Sequence, residues 1–203
     1  MKRLVLAFVL GLFCGAPALA APLYDNLAYG GGTGDQFSLL GPLGNSFSTG
    51  TDPFSLGSLK LSLAAANETD GGAISISLLA NSGNTPGAAI AALGTILNSS
   101  LTGSFQVVQL SFAPVALAAN TRYWISLDGT GSGEWEFSYD TLGIGVAGEF
   151  WANRFSAFSN NFPDTPYLMA IGPAAGVPEP LTLSLLGAGL IGMVLLYRRR
   201  RTH

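Results

Sequence analysis

Short segments of alternating apolar and polar residues run through the middle of the chain and constrain its fold most. In residues 59–63, 74–78 and 108–112 every second residue is apolar. A period of two is the pattern of a half-buried strand, because successive side chains of a strand point to opposite faces. Residues 123–127 and 135–139 alternate in the same way, and 150–155 and 167–171 are weaker examples.

Turn-forming clusters separate these segments. They are Asp70-Gly71-Gly72, residues 81–84, residues 128–133 and Asn160-Asn161. Residues 88–97 are rich in alanine, but Gly87 and Gly94 favour a strand or loop there over a helix. Many short strands with frequent turns predict an all-β fold over residues 21–176, an antiparallel sandwich of the jelly-roll type.

The beginning of the chain has the three parts of a secretory signal. Lys2 and Arg3 are followed by eleven apolar residues, 4–14, and then by Ala18-Leu19-Ala20. We therefore expect a signal peptide over residues 1–20 that directs the chain to the secretion machinery, with cleavage by signal peptidase between Ala20 and Ala21. The alternative is a permanent anchor, but a membrane span needs about 20 apolar residues.

The end of the chain has the pattern of a single membrane span. Residues 181–197 include no charged side chain, and a helix of that length measures about 25 Å. Arginine clusters beside such a run stay in the cytoplasm. We therefore expect a transmembrane helix over 181–197 that leaves the preceding domain outside the cytoplasm. The cluster that follows consists of Arg198, Arg199, Arg200 and Arg201.

The motif Pro178-Glu179-Pro180 immediately precedes this run. With the apolar segment and the arginine cluster, it resembles the PEP-CTERM sorting signal over residues 177–203. The resemblance implies that an exosortase, a membrane-embedded protease of bacteria that make exopolysaccharide, recognises these three residues and removes the tail. A plain C-terminal anchor remains the alternative.

The middle of the chain is similar to the choice-of-anchor domains, type R in particular. The similarity rests on residues 47–50, 76–79 and 84–87, and most specifically on residues 117–124, which read Leu-Ala-Ala-Asn-Thr-Arg-Tyr-Trp. The resemblance implies an extracellular β-sandwich that is delivered to the surface by the anchor that follows it. It implies no catalytic residues.

Charge and residue usage argue against several classes of function. Residues 22–177 include three basic and eleven acidic side chains, a net charge of −8. Such a domain lacks the clustered basic residues that nucleic-acid binding needs. The only histidine is His203 and the only cysteine is Cys14. Neither lies in the predicted domain, so a Ser/His/Asp triad, a Cys/His pair and a histidine-ligated zinc site are not expected there. We predict no enzyme activity, no cofactor and no metal site.

Two acidic features have competing interpretations. Glu134 and Glu136 share one face of a strand and could be the carboxylate pair of a divergent glycoside hydrolase. Because they lie opposite Trp135, a solvated face is the favoured interpretation. Asp128, Glu134 and the glycines between them could supply oxygen ligands to Ca²⁺. A flexible, glycine-rich hairpin is the favoured interpretation of that segment.

Trp124 and Trp151 are the candidate contacts for a glycan, since exposed aromatic rings stack on sugars and jelly rolls are common in lectins. Packing in the core is the favoured interpretation of both residues. The sequence thus predicts an exported cell-surface or extracellular-matrix protein, processed by an exosortase and associated with exopolysaccharide or biofilm. A carbohydrate-binding module is the alternative.

Overall fold

The fold is almost entirely β. The computed structural model describes residues 21–146, 152–154, 160–162 and 165–174. These residues include one short helix, Phe37–Leu40, and two 3-10 turns, Leu27–Tyr29 and Asn98–Ser100. Their strands are β1 (Tyr24–Asp25), β2 (Thr33–Gln36), β3 (Leu43–Ser48), β4 (Phe54–Ala65), β5 (Ala73–Ser82), β6 (Thr85–Leu97), β7 (Gln106–Leu117), β8 (Arg122–Gly129), β9 (Gly133–Phe137), β10 (Ala152–Arg154), β11 (Asn160–Phe162) and β12 (Met169–Pro173).

The strands form two antiparallel sheets. In the first sheet β4 is central: it pairs with β7 along one side and with β12 and then β9 along the other. β1 pairs with β12, and β2 pairs with β9. The second sheet has the order β11-β10-β3-β8-β5-β6. The prediction of an antiparallel all-β sandwich is therefore confirmed.

The core consists of the inward-facing residues of both sheets. The three predicted leucines of β4, at 59, 61 and 63, are fully buried, as are Ile74 and Leu78 of β5. They belong to one apolar cluster with Tyr123, Ile125 and Leu127 of β8. Each large apolar side chain contributes about 1.5–3 kcal/mol when it leaves water, so the alternating pattern determines which face of each strand packs inward.

A tight hairpin joins β5 and β6. Ser82 pairs with Thr85, and the two residues between them, Gly83 and Asn84, have φ angles of 57° and 70°. Two positive φ angles are typical of the type I′ turn, which suits glycine and asparagine. The hairpin leads into β6, so residues 88–97 form a strand, one of the two options that the sequence favoured.

Two local predictions were wrong. Residues 128–133 do not close a hairpin: β8 belongs to the second sheet and β9 to the first, so this loop crosses between the sheets. Asn160 and Asn161 lie in β11 and not in a turn. In both places the pairing depends on strands distant in sequence, which short-range turn chemistry does not reveal.

A buried amide links the sheets. Asn45 of β3 is fully buried and donates to the Tyr24 hydroxyl at 3.1 Å. Its Oδ1 accepts from the backbone N–H of Tyr167 at 2.9 Å. Burial, more than any neighbouring group, raises the pKa of the Tyr24 hydroxyl, so that hydroxyl stays protonated. We call Asn45, Tyr24 and Tyr167 the amide clamp, because the Asn45 side chain bonds β3 of one sheet to β1 of the other and to Tyr167, two residues before β12.

Candidate functional site

Most residues of the predicted sorting and export signals lie outside the described part of the chain. Among the described residues, no helix is long and apolar enough to cross a membrane. The predicted span 181–197 is not among them, and Ala21 of the predicted cleavage pair is the first described residue. The other predicted site residues outside the described ranges are Ala20, Trp151, Pro178, Glu179, Pro180, Arg198, Arg199, Arg200 and Arg201.

Trp124 is not available as a sugar platform. Its side chain is 0 % exposed, and its indole N–H donates to Asn81 Oδ1 at 2.9 Å. The residue lies on the central strand β8, between its register partners Ser46 of β3 and Leu79 of β5. Alternation had suggested an outward ring, but the strand is buried on both of its faces, so Trp124 has a packing role.

The segments that carry the family resemblance meet at one place. Thr49 Oγ1 donates to the carbonyl of Ala118 at 2.7 Å and accepts from the N–H of Thr121 at 3.1 Å. The hydroxyl of Tyr123 accepts from the N–H of Ala118 at 3.0 Å. Arg122 also donates to Asn84 Oδ1 in the β5–β6 turn. These hydrogen bonds fix loops to strands, so the residues that form them have a structural role.

Glu136 is buried, against the expectation of a solvated face. Its side chain is 7 % exposed. One carboxylate oxygen accepts from the N–H of Gly32 at 2.8 Å and the other from the Ser62 hydroxyl at 2.5 Å. The backbone before β2 lies over it: a Cβ on Gly30 would come within 2.6 Å of Glu136 Oε1. Glycine at position 30 therefore permits the cover that closes this carboxylate off.

Glu134 lies on the same strand in a half-buried position, opposite Gln36 and Ala64. Partial burial, and secondly the negative charge of Asp35, raise its pKa. Asp35 in turn accepts from the Tyr167 hydroxyl at 2.6 Å. A raised carboxyl pKa is typical of a general acid, but a glycosidase needs two accessible carboxyl groups, and the oxygens of Glu136 are already engaged.

The loop between β8 and β9 is organised around the carboxylate of Asp70. Asp70 accepts from the backbone N–H and the hydroxyl of Ser132, at 2.6 and 2.7 Å, and from the N–H of Gly72 at 2.7 Å. The Asn98 amide donates to both of its oxygens. Led by the Ser132 hydroxyl, these donors lower the pKa of Asp70 to about 2.

This arrangement is unsuited to calcium. A cation needs several free oxygen ligands, whereas Asp70 is surrounded by hydrogen-bond donors. Asp128, the first residue of the candidate calcium segment, has an exposed side chain. Within the described ranges, no group of three or more His, Cys, Asp or Glu side chains is placed to hold a metal ion.

Tyr139 is exposed at the surface, which the sequence pattern did not predict. Trp135 stacks on Tyr167 with ring centroids 4.5 Å apart, and Phe137 meets Tyr167 edge-on at 6.4 Å. Tyr139 meets Phe137 edge-on at 5.2 Å but is itself 69 % exposed. The pattern placed Tyr139 inside with Trp135 and Phe137, but β9 ends at Phe137.

Comparison with known proteins finds no family model, no curated protein and no solved structure that matches this chain.

Proposed function

We propose that this chain is an exported bacterial protein of the cell surface or extracellular matrix, processed by an exosortase at its C-terminal end. One observation carries the proposal: Pro178-Glu179-Pro180 is followed at once by the apolar run 181–197 and four arginines, while residues 1–20 have the pattern of a signal peptide. In this scheme the protein is held in the inner membrane, with its domain outside the cytoplasm, until it is cleaved. Exopolysaccharide is the proposed surrounding material.

The domain is, in this proposal, a jelly roll that acts without catalysis. The pairing order supports the topology: one sheet includes the run β1-β12-β4-β7 and the other the run β3-β8-β5-β6. Two interleaved four-stranded sheets of this kind are the arrangement of a jelly roll. The engaged oxygens of Glu136 support a non-catalytic role for the β9 carboxylates.

The motif is tested by the variant Glu179→Gln, with Glu68→Gln as the matched control, since Glu68 is exposed in a loop of the β domain. In the native host, Glu179→Gln is expected to accumulate as uncleaved chain in the membrane fraction, and Glu68→Gln to be processed like the wild type. Deletion of the host exosortase should reproduce the first result. Normal processing in both the Glu179→Gln strain and the deletion strain would refute the proposal.

Carbohydrate binding remains the second candidate, now favoured by Tyr139 and not by Trp124. The ring of Tyr139 is exposed and held edge-on by Phe137, which suits stacking on a sugar. Pull-down with the host's exopolysaccharide should weaken in Tyr139→Ala and stay unchanged in Leu39→Ala, which truncates another exposed apolar residue. Equal binding by wild type, Tyr139→Ala and Leu39→Ala would exclude Tyr139 as a contact.

A further inference from the structure

Among the described residues, β7 is an edge strand whose outward backbone groups have no partner strand. Within the described residues it pairs with β4 along one side and has no strand on the other. The N–H of Ser62 on β4 donates to Leu168, on the side of β4 that faces away from β7. Backbone groups alternate in direction along a strand, so Leu61 and its like-facing neighbours point to β7.

The alternation identifies which groups of β7 are open. Leu59, Leu61 and Leu63 are opposite Leu110, Val108 and Gln106, and these pairs exchange the ladder hydrogen bonds. The intervening residues Val107, Gln109 and Ser111 therefore direct their N–H and C=O groups to the open edge. Their side chains are also exposed, and Val107 retains 57 % of its accessible surface.

This stretch lacks the usual protection of an edge strand. Natural edges are blunted by charged residues, prolines or bulges. β7 has no charged residue, and its register with β4 is unbroken from Gln106 to Ser111. The bulge and Pro114 come only after that stretch. β6, the edge of the other sheet, has three irregularities in its pairing with β5, so it is the protected edge.

We propose that β7 is a docking surface for β7 of a second copy of this chain. Around a two-fold axis at Gln109, antiparallel pairing places Gln109 opposite Gln109 of the second copy and Val107 opposite Ser111. Each of the three pairs exchanges two bonds, so about six backbone hydrogen bonds join the copies. The first sheet then continues across the axis into the second copy.

The distribution of charge leaves the side of the sandwich formed by β7 and β6 open to a second copy. The region between residues 22 and 177 has a net charge of −8, so two copies repel each other over most of their surfaces. β7 and β6, which contact each other along the same side of the sandwich, include no charged residue. Like charges facing each other across a two-fold axis are destabilising, and here none meet.

Cysteine cross-linking tests the register in the full chain. In a Cys14→Ser background, Gln109→Cys places two thiols at a hydrogen-bonded pair, where Cα atoms are about 5.5 Å apart and within disulfide reach. The matched control is Ser75→Cys, exposed on β5 of the other sheet. Under mild oxidation we expect at least about tenfold more covalent dimer from Gln109→Cys, since pairing makes the second thiol intramolecular.

A charge variant tests the same axis without cross-linking. Gln109→Lys brings two positive charges together at the axis, whereas Ser75→Lys makes the same change elsewhere. Light scattering on the full chain in detergent should show the dimer lost in Gln109→Lys and kept in Ser75→Lys, with equal melting temperatures. Equal cross-linking of the two cysteine variants, a monomeric wild type, or an adduct with a different protein would each overturn the proposal.

Discussion

Removing the side chain of Asn45, the centre of the amide clamp, should destabilise the domain more than the loss of any single polar contact at its surface. In Asn45→Ala, the backbone N–H of Tyr167 loses its acceptor and the Tyr24 hydroxyl loses a donor. A buried donor without its acceptor costs about 1–3 kcal/mol, and an ordinary hydrogen bond contributes about 0.5–1.5 kcal/mol. The free energy of unfolding should therefore fall by about 2–4 kcal/mol, a large share of the usual 5–15 kcal/mol.

The matched control is Asn67→Ala. Asn67 Oδ1 accepts from the N–H and hydroxyl of Thr69, but it lies in an exposed loop, where water replaces both donors. A surface change of this kind stays within about 0.5 kcal/mol.

Urea denaturation of residues 21–176, followed by tryptophan fluorescence, measures both variants. A ΔΔG for Asn45→Ala as small as that for Asn67→Ala would refute the claim that the buried amide holds the sheets together. Thermal unfolding should agree, with a melting temperature roughly 5–15 °C lower for Asn45→Ala, the shift that such a loss causes in a domain of this size.

Three further predictions follow from burial and charge. Trp124→Ala should lower the free energy of unfolding by about 3–5 kcal/mol, as large-to-small changes in a core do. Glycan binding per folded molecule should stay the same. Weaker glycan binding by the folded variant would contradict the buried position of Trp124. The pKa of Asp70 is lowered to about 2 from 3.8, so its bonds to Ser132 stabilise the fold above about pH 4 and are lost as the pH falls towards 2. The difference in unfolding free energy between wild type and Ser132→Ala should therefore shrink over that interval. A difference that stays constant with pH would count against these bonds. The raised pKa of Glu134 means that the folded state disfavours the charged carboxylate, so Glu134→Gln should increase the free energy of unfolding at pH 7. The gain should vanish once the pH is below the pKa that Glu134 has in the unfolded chain. A Glu134→Gln variant less stable than the wild type at pH 7 would show that the folded state favours the charged form.

The sequence predicted the strands whose apolar residues alternate without interruption, because period-two burial is a local signal. It did not reveal β3, in which the inward positions are Leu43, Asn45 and Phe47. There a buried amide interrupts the apolar face, and its place in the core depends on Tyr24 and Tyr167, which are remote in sequence. β2, with the sequence Thr-Gly-Asp-Gln, is held in the sheet by its pairing with β9 and has no apolar pattern of its own.

The candidate sites depended on contacts that spacing does not encode. Glu136 is closed off because Gly30 lets the backbone pass over it, and alternation only placed that carboxylate opposite Trp135. Trp124 is buried because both faces of β8 are covered, which alternation along a single strand does not show. Asp70 was visible as part of a turn, but its bonds to Ser132 join loops 62 residues apart. In contrast, the proposed export and sorting motifs rest on linear patterns of residues, which the sequence displays directly.

The intact mass of the protein recovered outside the inner membrane tests the central proposal most directly. Export and exosortase processing predict a chain that begins at Ala21 and ends near Pro178-Glu179-Pro180, without the apolar run and without Arg198–Arg201. An exported protein that retains these four arginines would contradict the account, whatever the role of its β domain.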